Sequence, residues 1–178
     1  MLSGPSGVGK TTVLARVRAL LPQLFISLSV TTRPPRPGEV DGVHYRFIGD
    51  AEFDDLLAQG RLLEHAEYAG NRYGTPRAPL ERALAAGRPA LLEIEVRGAR
   101  QVRAAMPDAL LVMLAPPSWS ELVERLTSRG TEPAAVLARR LTVAEQELGA
   151  AGEYDRTVVN GDVQESAATL VALLTGHC

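Results

Sequence analysis

Gly4-Pro5-Ser6-Gly7-Val8-Gly9-Lys10-Thr11 is the stretch on which the reading of the fold turns. It satisfies G-x-x-x-x-G-K-[ST] at every fixed position. Glycines let the backbone wrap closely around phosphate oxygens with the N–H groups pointing inward. The helix that opens at the end of the loop aims its first amides and its dipole at the same anion. Lys10 can bridge the β- and γ-phosphates, and the Thr11 hydroxyl can ligate Mg²⁺. The expectation is a nucleoside triphosphate site whose ATP-side residues are Gly4, Ser6, Gly7, Gly9, Lys10, Thr11 and Thr12. By itself the loop does not separate a kinase from a GTPase, an ATPase motor or a binding module. Only Met1, Leu2 and Ser3 precede it, so a short first strand with few ladder bonds is expected.

Outward from the loop, apolar periodicity predicts helices over about 9–21, 50–58, 78–86, 97–105, 118–128, 133–150 and 163–175. Ser118 with Glu121 fits a capping box at the fifth of these. Ala90–Glu95 and Ala109–Ala115 are nearly continuous apolar runs, as parallel strands buried on both faces require, and Thr157–Asn160 reads as a third. Alternating strand and helix predicts an α/β fold, a P-loop NTPase-like parallel sheet flanked by helices. Between residues 30 and 76 the pattern changes. Pro34, Pro35, Pro37 and several glycines break the helical period. Short segments near 44–48 and 61–68 suggest a small mixed-β insertion, and 149–156 reads as a polar turn.

Composition narrows the classes. A chain of 178 residues suits one domain with a sizeable core. Aromatics at 4% argue against a base-stacking surface, and a net charge of -2 against a nucleic-acid partner. Small-molecule substrates are expected, without nucleic acid or membrane, for a monomer or weak homo-oligomer. The single cysteine, Cys178, excludes a disulfide framework and suits a reducing cytoplasm. No stretch is apolar enough to span a bilayer. Functional sequence starts so near Met1 that no signal peptide is expected. His44, His65 and His177 are scattered and read as local packing or solvent groups, and Trp119 as a packing residue.

A second anion site is suggested by Ser29-Val30-Thr31-Thr32-Arg33-Pro34-Pro35-Arg36-Pro37-Gly38-Glu39. Arg33 and Arg36 stand three apart in a proline-stiffened loop. Guanidinium forks suit bidentate phosphate recognition. The same stretch also reads as a solvated basic loop. Further segments tip the balance: Asp41–Phe47 (D-G-V-H-Y-R-F), Leu62–Glu67 (L-L-E-H-A-E), Gly70–Thr75 (G-N-R-Y-G-T), Leu91–Arg100 (L-L-E-I-E-V-R-G-A-R), Pro116–Ser118, Ser128–Glu132 (S-R-G-T-E), Arg139-Arg140 and Val158–Asn160. In this order they resemble guanylate kinases, the nucleoside monophosphate kinases that act on GMP. The resemblance runs from Leu2 to about Leu174.

The resemblance implies roles residue by residue. Arg33, Arg36, Tyr45 and Tyr73 would clamp the acceptor's phosphate. Glu64 would read guanine by accepting from N1–H and the N2 amino group, with Thr75 donating to O6 and Ser29 as a further polar contact. Leaving such groups unpaired costs about 1–3 kcal/mol each, which is how AMP would be rejected. Glu93 and Glu95, at i and i+2 on the expected strand, would share one side, with Glu95 touching the base or holding Mg²⁺ through water and Glu93 in support. Glu95 stands where the family usually has Asp, and Arg97 where it has Gln. Arg125 and Arg129 lie four apart on a predicted helix, hence on one face. With Arg140 they would reach over the transferring phosphoryl group as catalytic cations beside Lys10. Asn160 would contact adenine, although Gly161 departs from the family's N-D-D. The implied division is a core of 1–29, 77–118 and 146–178, a GMP-binding insertion of 30–76 and a lid of 119–145. The implied reaction takes ATP and GMP or dGMP to ADP and the diphosphate, with Mg²⁺. The alternatives are a specialised paralogue acting on a modified purine monophosphate, a non-catalytic interaction domain of the same fold, and a nucleic-acid-binding ATPase.

Overall fold

The computed structural model describes residues 1–68, 70–128 and 134–176. In chain order the elements are β1 (Leu2–Ser3), α1 (Lys10–Leu20), β2 (Phe25–Ile26), β3 (Val30–Thr31), β4 (Arg46–Phe47), α2 (Asp50–Ala58), β5 (Leu62–Tyr68) and β6 (Asn71–Pro76). They continue with α3 (Arg77–Ala85), β7 (Ala90–Leu91), α4 (Val96–Ala105), β8 (Val112–Ala115), α5 (Trp119–Thr127), α6 (Ala134–Gly149), β9 (Arg156–Val159) and α7 (Val163–Thr175). All seven expected helices are present. The chain divides into two compact units: Met1–Leu24 with Ile94–Val96 and Leu110–Cys178, and Phe25–Glu93 with Arg97–Ala109.

The first unit carries the parallel sheet β1-β8-β9, with Leu2 opposite Val112 and Ala115 opposite Val159. As expected, β1 is only two residues long, yet it is held on both edges. Met1 carbonyl accepts from Val112 N–H at 2.9 Å, Leu2 carbonyl accepts from Ile94 N–H at 3.2 Å, and Ser3 Oγ donates to Ile94 O at 2.5 Å. Leu2 and Ser3 have no exposed surface, so burial compensates for the few ladder bonds. Helix α1 buries Val13, Leu14 and Val17 and packs against α7. Leu122, Leu126 and Ala144 form an apolar seam joining α5 to α6, flanked by Leu137, Leu141 and Leu148. Ser118 caps α5 by accepting from Glu121 N–H. The carboxylate of Glu121 bonds Arg125, so it is engaged within the helix. Asp162 caps α7 through Gln164 N–H at 2.7 Å and Glu165 N–H at 2.9 Å.

The second unit holds the four-stranded mixed sheet β4-β3-β6-β5. Pairing is parallel between β3 and β4 and antiparallel elsewhere. Val30, Phe53 and Leu62, with Ile48 and Leu56, form its small core. β2 and β7 make a separate parallel pair.

Several expectations need correction. In the 90–95 run the named strand covers only Ala90–Leu91, although Glu93 forms a β-bridge and Ile94 N–H bonds Leu2 O. The 109–115 run is a strand only over Val112–Ala115. The expected polar turn near 149–156 is a 3-10 helix over Ala150–Glu153, and β9 already begins at Arg156. Trp119 is 43% exposed instead of packed. Among the described residues, no helix is long and apolar enough to cross a membrane.

Candidate active site

Within the first unit, the loop between β1 and α1 is an anion cradle by construction. Helix α1 begins with no side-chain cap; Gly9 precedes it at φ 97°, left-handed backbone that disfavours any residue with a Cβ. A Cβ there would also lie 2.6 Å from Asn160 Nδ2. The first amides of α1 thus have no protein side chain against them, as a bound phosphate requires. A Cβ at Gly4 would strike the Leu114 carbonyl oxygen, and one at Gly7 would lie 2.7 Å from Leu126 Cδ2. The sequence here permits no bulk. Lys10 Nζ donates to Gly4 O at 2.5 Å and Pro5 O at 3.4 Å, so the ammonium lies folded back along the loop. Thr11 and Thr12 are exposed at the head of α1.

The loop is braced from behind. Asn160, 3% exposed, donates through Nδ2 to Val8 O at 2.7 Å and accepts from Ser166 Oγ at 3.2 Å. Arg125 donates to Val8 O at 3.4 Å, Asn160 O at 3.2 Å and Glu121 Oε2 at 3.2 Å. Both groups serve the loop itself, and the Asn160 carboxamide is engaged on both sides. From α6, Arg140 donates to Ser6 Oγ at 2.7 Å. Arg129 lies outside the described residues, as do His177 and Cys178.

Glu147 is a member of this cluster that the sequence reading missed. Burial pushes its carboxyl up to about 7; the Lys10 charge opposes this, Glu95 adds to it, and the Ser6 N–H donated to it opposes it again. A signal was available, because Glu147 follows Arg140 by seven residues on the predicted helix and so shares its face. An unfolded glutamate titrates near 4.3. The native state therefore holds this proton more tightly, giving stability that is complete below about pH 4.3 and lost as pH rises through about 7. Glu147→Gln, which mimics the protonated form, should gain in melting temperature over the wild type as pH goes from about 5 to about 8. Parallel thermal melts check this; a difference that does not change with pH would remove the carboxyl from the account.

In the second unit, Arg33 is nearly fully engaged. Its Nη1 and Nη2 each meet a Glu39 carboxylate oxygen at 2.9 Å, Nη1 also reaches Pro34 O at 2.8 Å, and Nε donates to the Tyr73 hydroxyl at 3.2 Å. Glu39 also accepts from Arg36 N–H at 2.7 Å. The Arg33 guanidinium holds the Glu39 carboxyl down at about 2, with the Arg36 amide adding to the effect. The arginine lies 5.5 Å from the Tyr45 ring centroid, and the Tyr45 and Tyr73 rings meet edge-on at 6.0 Å. Burial raises the Tyr45 hydroxyl above its usual range, so it remains a neutral donor at physiological pH. The structure thus gathers Glu39, Tyr45 and Tyr73 around the Arg33 guanidinium. Arg36 is exposed and Ser29 half-buried beside them in sequence.

Glu64 is 6% exposed and Thr75 fully buried. They stand opposite each other on β5 and β6, and Thr75 Oγ1 donates to Glu64 Oε1 at 2.6 Å. A hydroxyl has one hydrogen. Here that hydrogen is committed to Glu64.

The chain is similar to known proteins over nearly its whole length. The guanylate kinase family model matches residues 1–176. A guanylate kinase of Thermobifida fusca is 62% identical over 174 residues, covering 98% of this chain and 89% of that protein. One of Streptomyces coelicolor is 60% identical, covering 97% and 88%. Among solved structures, the guanylate kinase of Anaplasma phagocytophilum superposes with a TM-score of 0.76 at 33% identity, covering 99% of this chain and 83% of that one.

Proposed function

This chain belongs to the guanylate kinase family, and on that premise we propose that it transfers the γ-phosphoryl group of ATP to GMP, giving ADP and GDP. The observation that carries the reading is the buried Glu64–Thr75 pair, a carboxylate and a hydroxyl placed as acceptor and donor for a purine edge. Guanine presents N1–H and N2–H to a carboxylate, whereas adenine presents no such pair. The complete phosphate loop supports catalysis over the interaction-domain alternative.

In this reading Gly4, Ser6, Gly7, Gly9, Lys10, Thr11 and Thr12 bind the ATP phosphates. Asn160 and Arg125 act chiefly by shaping the loop, because their donors already serve it. Arg140, in contact with Ser6, and Arg129 are assigned to the transferring phosphoryl group, where positioning and charge neutralisation outweigh covalent chemistry. Arg33, Arg36, Tyr45 and Tyr73 hold the acceptor phosphate, which replaces Glu39 as a partner of Arg33. Residues 30–76 form the acceptor-binding insertion and 119–145 the lid. The assigned acceptor contacts go to phosphate and base, so dGMP is expected to be accepted too.

Mg²⁺ fits the donor set. Thr11 offers an exposed hydroxyl and Glu95 an exposed carboxylate, both hard oxygen donors that suit a cation retaining much of its water. Thr11, with Glu95 through water, would hold the ion, which supplies charge neutralisation at the phosphates. The substrates suit a cytoplasmic enzyme.

The test is ADP formation from ATP and Mg²⁺ with GMP, dGMP, AMP, CMP and UMP in parallel. Turnover confined to GMP and dGMP is expected. Equal turnover with AMP, or none with GMP from folded protein that binds ATP, would overturn the assignment.

A further inference from the structure

β5 is an outer strand of its sheet. One edge pairs with β6, and among the described residues no strand lies at the other. In an antiparallel ladder, residues alternate between exchanging bonds with the partner and turning both backbone groups to the far edge. His65, opposite Gly74, turns outward. Its N–H donates to Gln101 Oε1 at 3.1 Å, and its carbonyl accepts from Gln101 Nε2 at 2.7 Å. The carboxamide of Gln101 thus replaces one residue of an absent strand. A contact from Nε2 to Arg97 O at 3.4 Å agrees with this orientation of the amide.

The residue before His65 is Glu64. The register of β5 slips between Leu62 and Glu64, where one extra residue is accommodated. Such a bulge re-aims the side chains next to it and interrupts the ladder that would hold them. Gln101 secures the strand just beyond this weak point. Three residues earlier on the same helix stands Gly98. A Cβ there would lie 2.5 Å from Glu64 Oε2 and 3.0 Å from Cδ. Helix α4 therefore meets Glu64 in two ways, leaving space for its carboxylate and tying down the backbone that follows it.

We propose that Gln101 and Gly98 are positioning residues that set purine specificity, because α4 determines where the Glu64 carboxylate stands. This rests on the reading of Glu64 as the base reader. Guanine offers that carboxylate two N–H groups, while hypoxanthine, in IMP, keeps N1–H and lacks the amino group. A carboxylate held in place collects both bonds from guanine. A displaced one keeps one bond more readily than two, so discrimination between GMP and IMP narrows.

Stability and position can be separated here. His65 is exposed, so its backbone groups find water when Gln101 is truncated. Gly98 is not among the glycines with positive φ, and alanine suits a helix better. The atoms obstructing its Cβ belong to the Glu64 side chain and not to backbone, so the carboxylate is what must move.

The experiment measures kcat and KM for GMP and IMP in the wild type, Gln101→Ala, Gly98→Ala and Glu64→Gln, with a thermal melt of each. Both α4 variants should raise KM for GMP about tenfold, change kcat by less than about threefold, and cut the GMP-to-IMP ratio of kcat/KM about tenfold. Their melting temperatures should stay within about 4 °C of the wild type. An unchanged ratio in both α4 variants, with a collapsed ratio in Glu64→Gln, would overturn this inference and leave Glu64 as the reader. An unchanged ratio in all three would overturn the Glu64 reading itself. A fall in melting temperature with no change in ratio would reduce Gln101 and Gly98 to structural roles and also overturn the inference.

Discussion

Lys10→Ala is expected to lower kcat for GMP phosphorylation about a hundred- to a thousandfold, with a much smaller change in KM for GMP. The ammonium is already oriented by the carbonyls of Gly4 and Pro5 at 2.5 and 3.4 Å. It therefore needs little reorganisation to meet charge that develops on a phosphoryl group. Removing it takes away a cation that no neighbour replaces in the same place. Lys10→Arg should rescue poorly, because a planar fork does not reproduce a compact point charge. A second readout follows from Glu147. Lys10 holds its carboxyl down against burial, so in Lys10→Ala the loss of stability linked to Glu147 should move to higher pH. Steady-state kinetics and melts across pH check both parts. A kcat within tenfold of the wild type would remove Lys10 from the transition state.

Glu64→Gln is expected to lower kcat/KM for GMP about a thousandfold while leaving AMP turnover no worse than in the wild type. The substitution is close to isosteric, and the amide oxygen can keep the bond from Thr75, so the buried site remains filled. The chemistry changes instead. Guanine's N1–H and N2–H both need acceptors, and an amide offers one acceptor and one donor group. The donor then faces an N–H, leaving two buried donors opposed. Adenine's N1 is an acceptor and suits that amide. Parallel kinetics with GMP and AMP decide the matter. An equal loss for both nucleotides would mean that Glu64 holds the sheet and does not read the base.

How much of this was legible beforehand varied by element. Helices over 50–58 and 163–175 were read to the residue, because a helix carries its period within itself. Strands were read less well. The 90–95 run is mostly apolar, yet only Ala90 and Leu91 belong to a named strand, paired with Phe25 and Ile26. Asn71–Pro76 was seen only as a motif, because its mostly polar residues conceal a strand whose pairing is decided by β3 and β5. Gln101 gave no signal, since a glutamine in a polar helix is ordinary until an open strand edge lies beside it.

What the amino-acid sequence determined alone was the phosphate loop, the helical framework, the α/β class and the family. Those properties rest on contiguous residues: eight that wrap an anion, or nine to sixteen that repeat an apolar period. The tertiary structure decided which polar groups were already engaged. Arg33 is bound to Glu39, the Thr75 hydrogen to Glu64, the Asn160 amide to Val8, and Glu147 is brought beside Lys10. A hydrogen or a charge can be used only where its partner lies, and these partners come from segments that only folding brings together.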